Sequence, residues 1–294
     1  MALKDFKAPV DTNLFGEQIE RDTLLRDKFI EPPFSVLDAR TGAWQSRKQK
    51  WIGLGIKSEL GRDAISLAQG LNKFDPRDSY TGKSVFDSAL TELMYHWFCP
   101  DGGHILDPFA GGSVRGIVAT YQGYRYTGIE LRAEQVDSNR EQANTIIPAN
   151  APNWICGDSD SELDKLDEEY DFVFSCPPYF DLEVYSDLSD DLSNMDYQSF
   201  LIKYRSIIEK SVAHLKTGCY AVFVVGDIRD ERGFYRDFIG ETKRAFIESG
   251  AGLYNEMVLL ENGLNTAAMR ANKQFMAGGK VVKTHQNVLC FKKV

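Results

Sequence analysis

A chain of 294 residues with 43% hydrophobic content is long enough to bury a full core, as one large domain or as one domain plus an extension. No run of about 18 apolar residues occurs, and the start, Met1 to Lys7, carries charges without an apolar h-region; neither a membrane span nor a secretory signal is readable, and a cytoplasmic location is expected. A formal charge of -9 argues against a protein that coats nucleic acid through sheer basicity.

Residues up to about Lys83 read as irregular. Pro32 and Pro33 break the chain, glycines recur at Gly42, Gly53, Gly55 and Gly61, and Trp44 and Trp51 flank Arg47, Lys48 and Lys50. This gives an N-terminal extension over 1–83 with little regular structure, followed by one α/β domain over 84–294. The texture then changes. Val85, Phe86, Leu90, Leu93, Met94 and Trp97 recur at helical spacing, so a helix is predicted from Ser84 to Phe98. Strands are predicted at His104 to Leu106, Arg125 to Ile129, Trp154 to Cys156, Tyr170 to Ser175, Cys219 to Val225, Leu253 to Leu260 and Asn287 to Phe291. Helices separate most of them, at Ser113 to Gln122, Glu134 to Ile147, Tyr197 to Leu215 and Gly240 to Ser249. That alternation implies a mostly parallel sheet covered on both faces.

Three strand ends carry ligand-binding chemistry. Asp107-Pro108-Phe109-Ala110-Gly111-Gly112-Ser113 joins the first of these strands to a helix, and glycines there let the backbone approach a ligand at the carboxyl edge of the sheet. Gly128-Ile129-Glu130 ends the next strand and places a carboxylate where it can accept both hydroxyls of a ribose. Cys156-Gly157-Asp158-Ser159 ends the third, with a carboxylate able to accept from an adenine amino group. Any one of these alone is a tight turn or a solvated strand end; three in succession point to a nucleoside. Gly82-Lys83-Ser84 resembles the end of a P-loop, but Arg77 stands where the first glycine belongs, so a ligand without phosphate fits better.

The fourth strand runs into Ser175-Cys176-Pro177-Pro178-Tyr179-Phe180. Two prolines stiffen the turn and bring no donors, leaving nearby carbonyls free to accept from a substrate amino group. Tyr179 offers a flat face on which an extruded base can stack. The plainer reading is a rigid aromatic-proline turn. The five cysteines, Cys99, Cys156, Cys176, Cys219 and Cys290, show no CxxC pair and no nearby His cluster, so reduced thiols and no metal are expected.

These residues resemble the amino-directed (N6-adenine or N4-cytosine) DNA methyltransferases, phage-type and restriction-modification enzymes among them. Asp107 to Ser113 looks like the family's cofactor motif, and Cys176-Pro177-Pro178-Tyr179 looks like its catalytic tetrapeptide, usually Asp, Asn or Ser followed by Pro-Pro and an aromatic. Phe86 and the helix behind it resemble the segment that touches the methionine part of the cofactor, and His285 to Phe291 resembles the last strand. The resemblance covers about Ser84 to the end. It implies a Rossmann-like fold with a seven-stranded, mostly parallel sheet and one antiparallel strand near the end. It further implies S-adenosylmethionine as cofactor, held by Phe86, Asp107, Pro108, Phe109, Gly111, Glu130 and Asp158, and DNA as partner.

Two departures stand out. Gly112-Ser113 reverses the usual Ser-Gly order, and Cys176 replaces Asp, Asn or Ser, which as a small uncharged side chain leans towards cytosine N4. A rival reading makes Cys176 a nucleophile that adds to C6 of a pyrimidine and activates C5. A third keeps the fold without catalysis, as a DNA-binding protein. No large insertion separates the motifs, so target recognition falls to the N-terminal extension, the loop after Phe180 or the basic C-terminal stretch. From Asn262 onward there is no acidic residue, and Arg270, Lys273, Lys280 and Lys283 are the first candidates for phosphate contacts, with Arg47, Lys48 and Lys50 next. The acidic loop from Asp181 to Asp196 should stay away from phosphates or move when DNA arrives.

Overall fold

The computed structural model describes residues 25–56, 86–180, 191–261 and 264–294, with the side chains of 26–27 and 264–270 left aside. The chain divides into two compact units, Met1–Phe34 and Ser35–Val294. The first contributes α1 (Leu25–Phe29), in which the Lys28 ammonium lies 5.2 Å from the Phe29 ring centroid.

The second unit opens with β1 (Val36–Asp38), α2 (Gly42–Gly53) and α3 (Ser88–Phe98). The alternating body follows as β2 (His104–Asp107), α4 (Val114–Tyr121), β3 (Arg125–Glu130), α5 (Ala133–Ile146), β4 (Asn153–Cys156), α6 (Ser159–Glu162) and β5 (Tyr170–Ser175). It closes with α7 (Tyr197–His214), β6 (Leu215–Val225), α8 (Phe238–Glu248), β7 (Ala251–Leu260), α9 (Leu264–Gly278) and β8 (His285–Lys293). One sheet runs in the order β1-β7-β8-β6-β5-β2-β3-β4. Every pairing is parallel except the two made by β8, against β6 and β7.

The sheet therefore has eight strands, where the resemblance implied seven. The added strand comes from the segment that reads as irregular, and it extends the sheet through Val36, Leu37 and Asp38 against Val258, Leu259 and Leu260. Only Leu37 of the three is buried, which is why so short a run gives no period to read. The same segment forms α2. Thr41 caps it by accepting from the Trp44 N–H at 3.3 Å, and Trp44 and Trp51, seven residues apart, bury one face against α3. Trp51 Nε1 donates to Glu92 at 2.8 Å and Arg47 pairs with Glu92 at 2.6 Å, while Lys48 pairs with Asp87 at 3.2 Å. Arg47 and Lys48 are thus committed to acids of α3 rather than presented to phosphates. Asp87 also caps α3 from Oδ1, so one carboxylate starts one helix and docks another.

The strand order reverses between β2 and β5, and open α/β sheets bind ligands outside the carboxyl ends of their strands at such a switch. One face of the sheet is sealed by α7 and α8 through an aromatic stack of Phe200, Tyr204, Phe238, Phe223, Phe246 and Phe291. On the other face Tyr95 of α3 meets Phe172 and Phe174 edge-on. Among the described residues no helix is long and apolar enough to cross a membrane, and no group of three or more His, Cys, Asp or Glu is placed to hold a metal ion.

Candidate functional site

Asp107 ends β2 fully buried, and its carboxylate is spent inside the protein. Oδ1 accepts from the Ser175 hydroxyl at 2.5 Å and the Phe109 N–H at 3.2 Å; Oδ2 accepts from Arg115 Nε at 2.6 Å and the Tyr126 hydroxyl at 2.8 Å. Four donors fill the acceptor positions a carboxylate has. Asp107 therefore shapes the loop after β2 and leaves nothing for a ligand to bind.

Arg115, on the first turn of α4, is the residue that sequence reasoning missed. Its Nη2 donates to the carbonyls of Phe109 at 2.6 Å and Ala110 at 3.0 Å, and its guanidinium lies 4.5 Å from the Phe86 ring centroid. Burial disfavours its charge, yet the groups around it, Asp107 foremost, together outweigh this and raise the Arg115 pKa. The Tyr126 hydroxyl, raised well above its ordinary value by burial and then by the Asp107 charge, stays a donor. One buried ion pair thus joins Phe86, the glycine turn and the end of β5. The only sign of it in the sequence is an arginine inside the apolar run Val114 to Ala119, all of which is buried.

Within that turn Gly111 has φ +52°, a left-handed conformation that favours glycine, and a Cβ built there would meet nothing within 4 Å. The chain exposes backbone to open space at this point. Asn139 Nδ2 holds the Gly111 carbonyl at 2.8 Å, the Ala110 N–H donates to Ile129 O at 3.0 Å, and the Pro108 carbonyl accepts from the Ser159 hydroxyl. Phe109 packs inward against Tyr204 and Phe223.

Glu130 ends β3 with Oε1 accepting from the Arg132 N–H at 3.0 Å and from its guanidinium Nε at 3.3 Å. Burial raises its pKa, and the Arg132 charge and the backbone N–H groups of Arg132 and Gly111 pull it back. Asp158 is more committed. Oδ1 caps α6 at the Asp160 N–H, 3.3 Å away, and Oδ2 pairs with Lys203 of α7 at 3.0 Å.

The tetrapeptide lies beside this turn, across the switch point. Ser175, fully buried, bridges the two by donating to Asp107 and accepting from the Phe109 N–H at 3.1 Å. Pro177 is buried; Cys176, Pro178 and Tyr179 are half-buried. Cys176 Sγ is 3.8 Å from the Tyr179 hydroxyl, and a Cβ on Gly226, the residue after β6, would lie 3.9 Å from the Tyr179 ring, in ordinary contact. Phe180, which follows, has φ +49°, a conformation unusual for a non-glycine residue. Its ring is clamped by Tyr197 and Phe200 at 5.2 and 5.4 Å, and the Arg236 guanidinium sits 5.2 Å from its centroid. The strained backbone is fixed by this packing.

The candidate phosphate contacts fall in two groups. β7 ends and β8 begins at the carboxyl edge, since Asn287 pairs with Val225. The β7–β8 connection, α9 included, therefore lies on the same edge as the tetrapeptide. Lys273 and Lys280 are exposed, and Lys283 is half-buried, donating to Asn287 Oδ1 at 3.2 Å. The Arg270 side chain, the Gly82-Lys83-Ser84 run and residues 181–190 of the acidic loop lie outside the described residues; Asp196, at the end of that loop, caps α7.

No protein-family model matches the sequence, and no curated protein matches it. Solved structures do share its architecture. TrmN from Thermus thermophilus aligns with a TM-score of 0.50 at 16% identity, over 74% of this chain and 52% of that one, so the chain spans about half the length of that protein. A ribosomal protein L11 methylase from Lactobacillus delbrueckii subsp. bulgaricus gives 0.45 at 11% identity, over 70% of this chain and 79% of that one. Magnesium protoporphyrin IX methyltransferase from Synechocystis PCC 6803, with S-adenosylmethionine bound, gives 0.44 at 10%, over 84% and 90%. The fold is the Rossmann-like fold of S-adenosylmethionine-dependent methyltransferases. A fold by itself does not choose a substrate.

Proposed function

We propose that this chain transfers a methyl group from S-adenosylmethionine to an exocyclic amino group of a DNA base, N4 of cytosine or N6 of adenine. One observation carries the reading. The Cys176-Pro177-Pro178-Tyr179 turn is locked against the glycine turn after β2 by a single buried hydroxyl, Ser175, so a base over Tyr179 and a nucleoside over Gly111 would meet at one edge.

The residues present fit the cofactor. Gly111 offers backbone with open space above it, Glu130 stands at the next strand end to accept ribose hydroxyls, and Phe86 is seated on Arg115 beside them. Asp107 and Asp158, whose oxygens are committed within the protein, position the loops in this scheme. When bound, S-adenosylmethionine supplies an activated methyl group on its sulfonium. The chain's own part is positioning, which is where much of the rate of such a transfer comes from. Extruding the nucleotide takes a few kcal/mol of unstacking, and the Tyr179 ring offers a replacement face. Pro177 and Pro178 hold the tetrapeptide backbone rigid around the amino nitrogen.

The test is to incubate DNA with the protein and S-adenosylmethionine, digest it to nucleosides and analyse these by mass spectrometry. N4-methylcytosine or N6-methyladenine is expected. A 5-methylcytosine product would make Cys176 a nucleophile, and no methylated nucleoside would overturn the reading in favour of RNA, protein or a binding role.

A further inference from the structure

The connection from β6 to α8 carries a feature that the proposed chemistry does not use. Residues 228–236 form a short hairpin. The Arg236 N–H donates to Ile228 O at 3.0 Å, Arg229 bridges to Tyr235, and the Gly233 N–H donates to Asp230 O at 2.8 Å with Gly233 at φ +93° closing the turn. Asp230 Oδ1 accepts from the Phe234 N–H at 2.9 Å, and Arg229 Nη1 donates to Gly233 O at 2.7 Å. This is a braced structure. Yet Phe234 is 68% exposed and Tyr235 48% exposed, each with an arginine at its ring: Arg229 at 3.8 Å from Tyr235 and Arg232 at 5.7 Å from Phe234.

The hairpin is tied to the tetrapeptide at its root. Gly226, two residues before the stem, lies against Tyr179; Arg236, the last residue of the stem, lies over Tyr197 at 4.5 Å and Phe180 at 5.2 Å. It is also tied to the basic stretch before β8, because a Cβ on Gly233 would fall 2.6 Å from Lys280 Nζ. Arg229, Arg232 and Lys280 thus share one rim on a chain of net charge -9. Of the nearby acids, Asp230 is paired with Arg232 at 3.1 Å and Asp227 accepts from the Ile239 N–H, while Glu231 is exposed at the tip.

Resting on the DNA reading above, we propose that this hairpin is a stacking finger. Phe234 and Tyr235 cover the bases next to the extruded nucleotide, and Arg232 and Lys280 contact the flanking phosphates. Extrusion leaves base faces unstacked, which apolar rings can cover whatever the sequence, and guanidinium groups on those rings add charge where phosphates lie. Rings held rigid and exposed beside the catalytic turn have the geometry for that task.

The experiment compares the full-length protein with the Phe234→Ala/Tyr235→Ala variant by fluorescence anisotropy on two labelled DNA duplexes, one intact and one with an abasic site. The expected result is a loss of roughly 10- to 100-fold on the abasic duplex and a much smaller one on the intact duplex. S-adenosylmethionine affinity and the urea midpoint stay unchanged, and Phe234→Trp/Tyr235→Phe restores binding. Arg232→Ala, an exposed change, should lower affinity for both duplexes and reduce the salt slope by about one. A change under about twofold, or an equal loss on both duplexes, overturns the finger. The two readings fail separately. Wild type that methylates DNA while the double variant binds normally sinks the finger alone. The expected binding pattern without any methylated nucleoside sinks the methylation alone.

Discussion

Asp107 and Arg232 stand on the same edge of one sheet in opposite surroundings. Around Asp107 every acceptor is filled from within, by Ser175, Phe109, Arg115 and Tyr126, and the loop it shapes is held from three sides before any ligand arrives. Around Arg232 the side chains face solvent, and Phe234 and Tyr235 remain exposed on a hairpin closed by backbone hydrogen bonds at Asp230, Gly233 and Arg236. A cofactor common to many enzymes asks for a fixed pocket, whereas a long polymer asks for a surface. The difference teaches where each kind of substitution should act: changes in the first region reach stability and cofactor affinity together, and changes in the second, on the proposed reading, reach nucleic-acid binding alone.

The largest expected effect breaks the fixed region. Arg115→Met leaves the Asp107 carboxylate buried without its cation, which should cost about 3–5 kcal/mol in urea unfolding. It also frees the Phe109 and Ala110 carbonyls and unseats Phe86, so S-adenosylmethionine affinity falls with it. Arg115→Met combined with Asp107→Asn should recover part of the stability, because the unpaired charge is gone. A single-variant loss below about 1 kcal/mol would mean that the pair does not hold this loop.

A smaller effect sharpens the comparison through pH. Burial raises the Glu130 pKa above the ordinary 4.5, against the pull of Arg132 and the backbone N–H groups. Ribose hydroxyls donate better to a charged carboxylate, so cofactor affinity should weaken as pH falls through the raised value, earlier than an ordinary glutamate would allow. Stability moves oppositely. With the folded pKa above the unfolded one, folding takes up a proton in the window between them; the contribution is present below the unfolded value and is lost as pH rises through the folded one. Glu130→Gln should flatten both profiles and reduce S-adenosylmethionine affinity by about tenfold, read by calorimetric titration at a series of pH values. A wild-type affinity that does not respond to pH in this window would take Glu130 out of the cofactor site.

The two regions were not equally legible in the sequence. The seven strands of the body announce themselves as short apolar runs, and the glycine turn and tetrapeptide as motifs at strand ends. β1 gives three residues with one buried, and α9 has side chains exposed throughout residues 272–278, so neither leaves an apolar stripe to read. Arg115 was hidden because arginine reads as surface, and only its buried neighbours say otherwise. Arg47 and Lys48 show the converse: they read as a basic patch, but their acids at Glu92 and Asp87 lie about forty residues away along the chain. Pairing across such distances follows from packing, which a local pattern does not encode. The exposed aromatics of the hairpin have no period to read, and only the fold brings Gly226, near its root, close to Tyr179.

The smallest expected effect lies where the two regions meet. Cys176 Sγ stands 3.8 Å from the Tyr179 hydroxyl at the head of the turn that Ser175 ties to Asp107. If the tetrapeptide works by holding an amino nitrogen in place, a hydroxyl can stand in for the thiol, and Cys176→Ser should change turnover by no more than about threefold. Cys176→Ala, which removes the polar atom, should lower turnover further while leaving S-adenosylmethionine affinity intact, because none of the cofactor contacts proposed here passes through that side chain. A thiolate adding to a pyrimidine ring predicts that the two variants are equally severe. A neutral hydroxyl is a far weaker nucleophile than a thiolate, so Cys176→Ser would then be as inactive as Cys176→Ala. Steady-state turnover of the two variants side by side separates positioning from covalent chemistry.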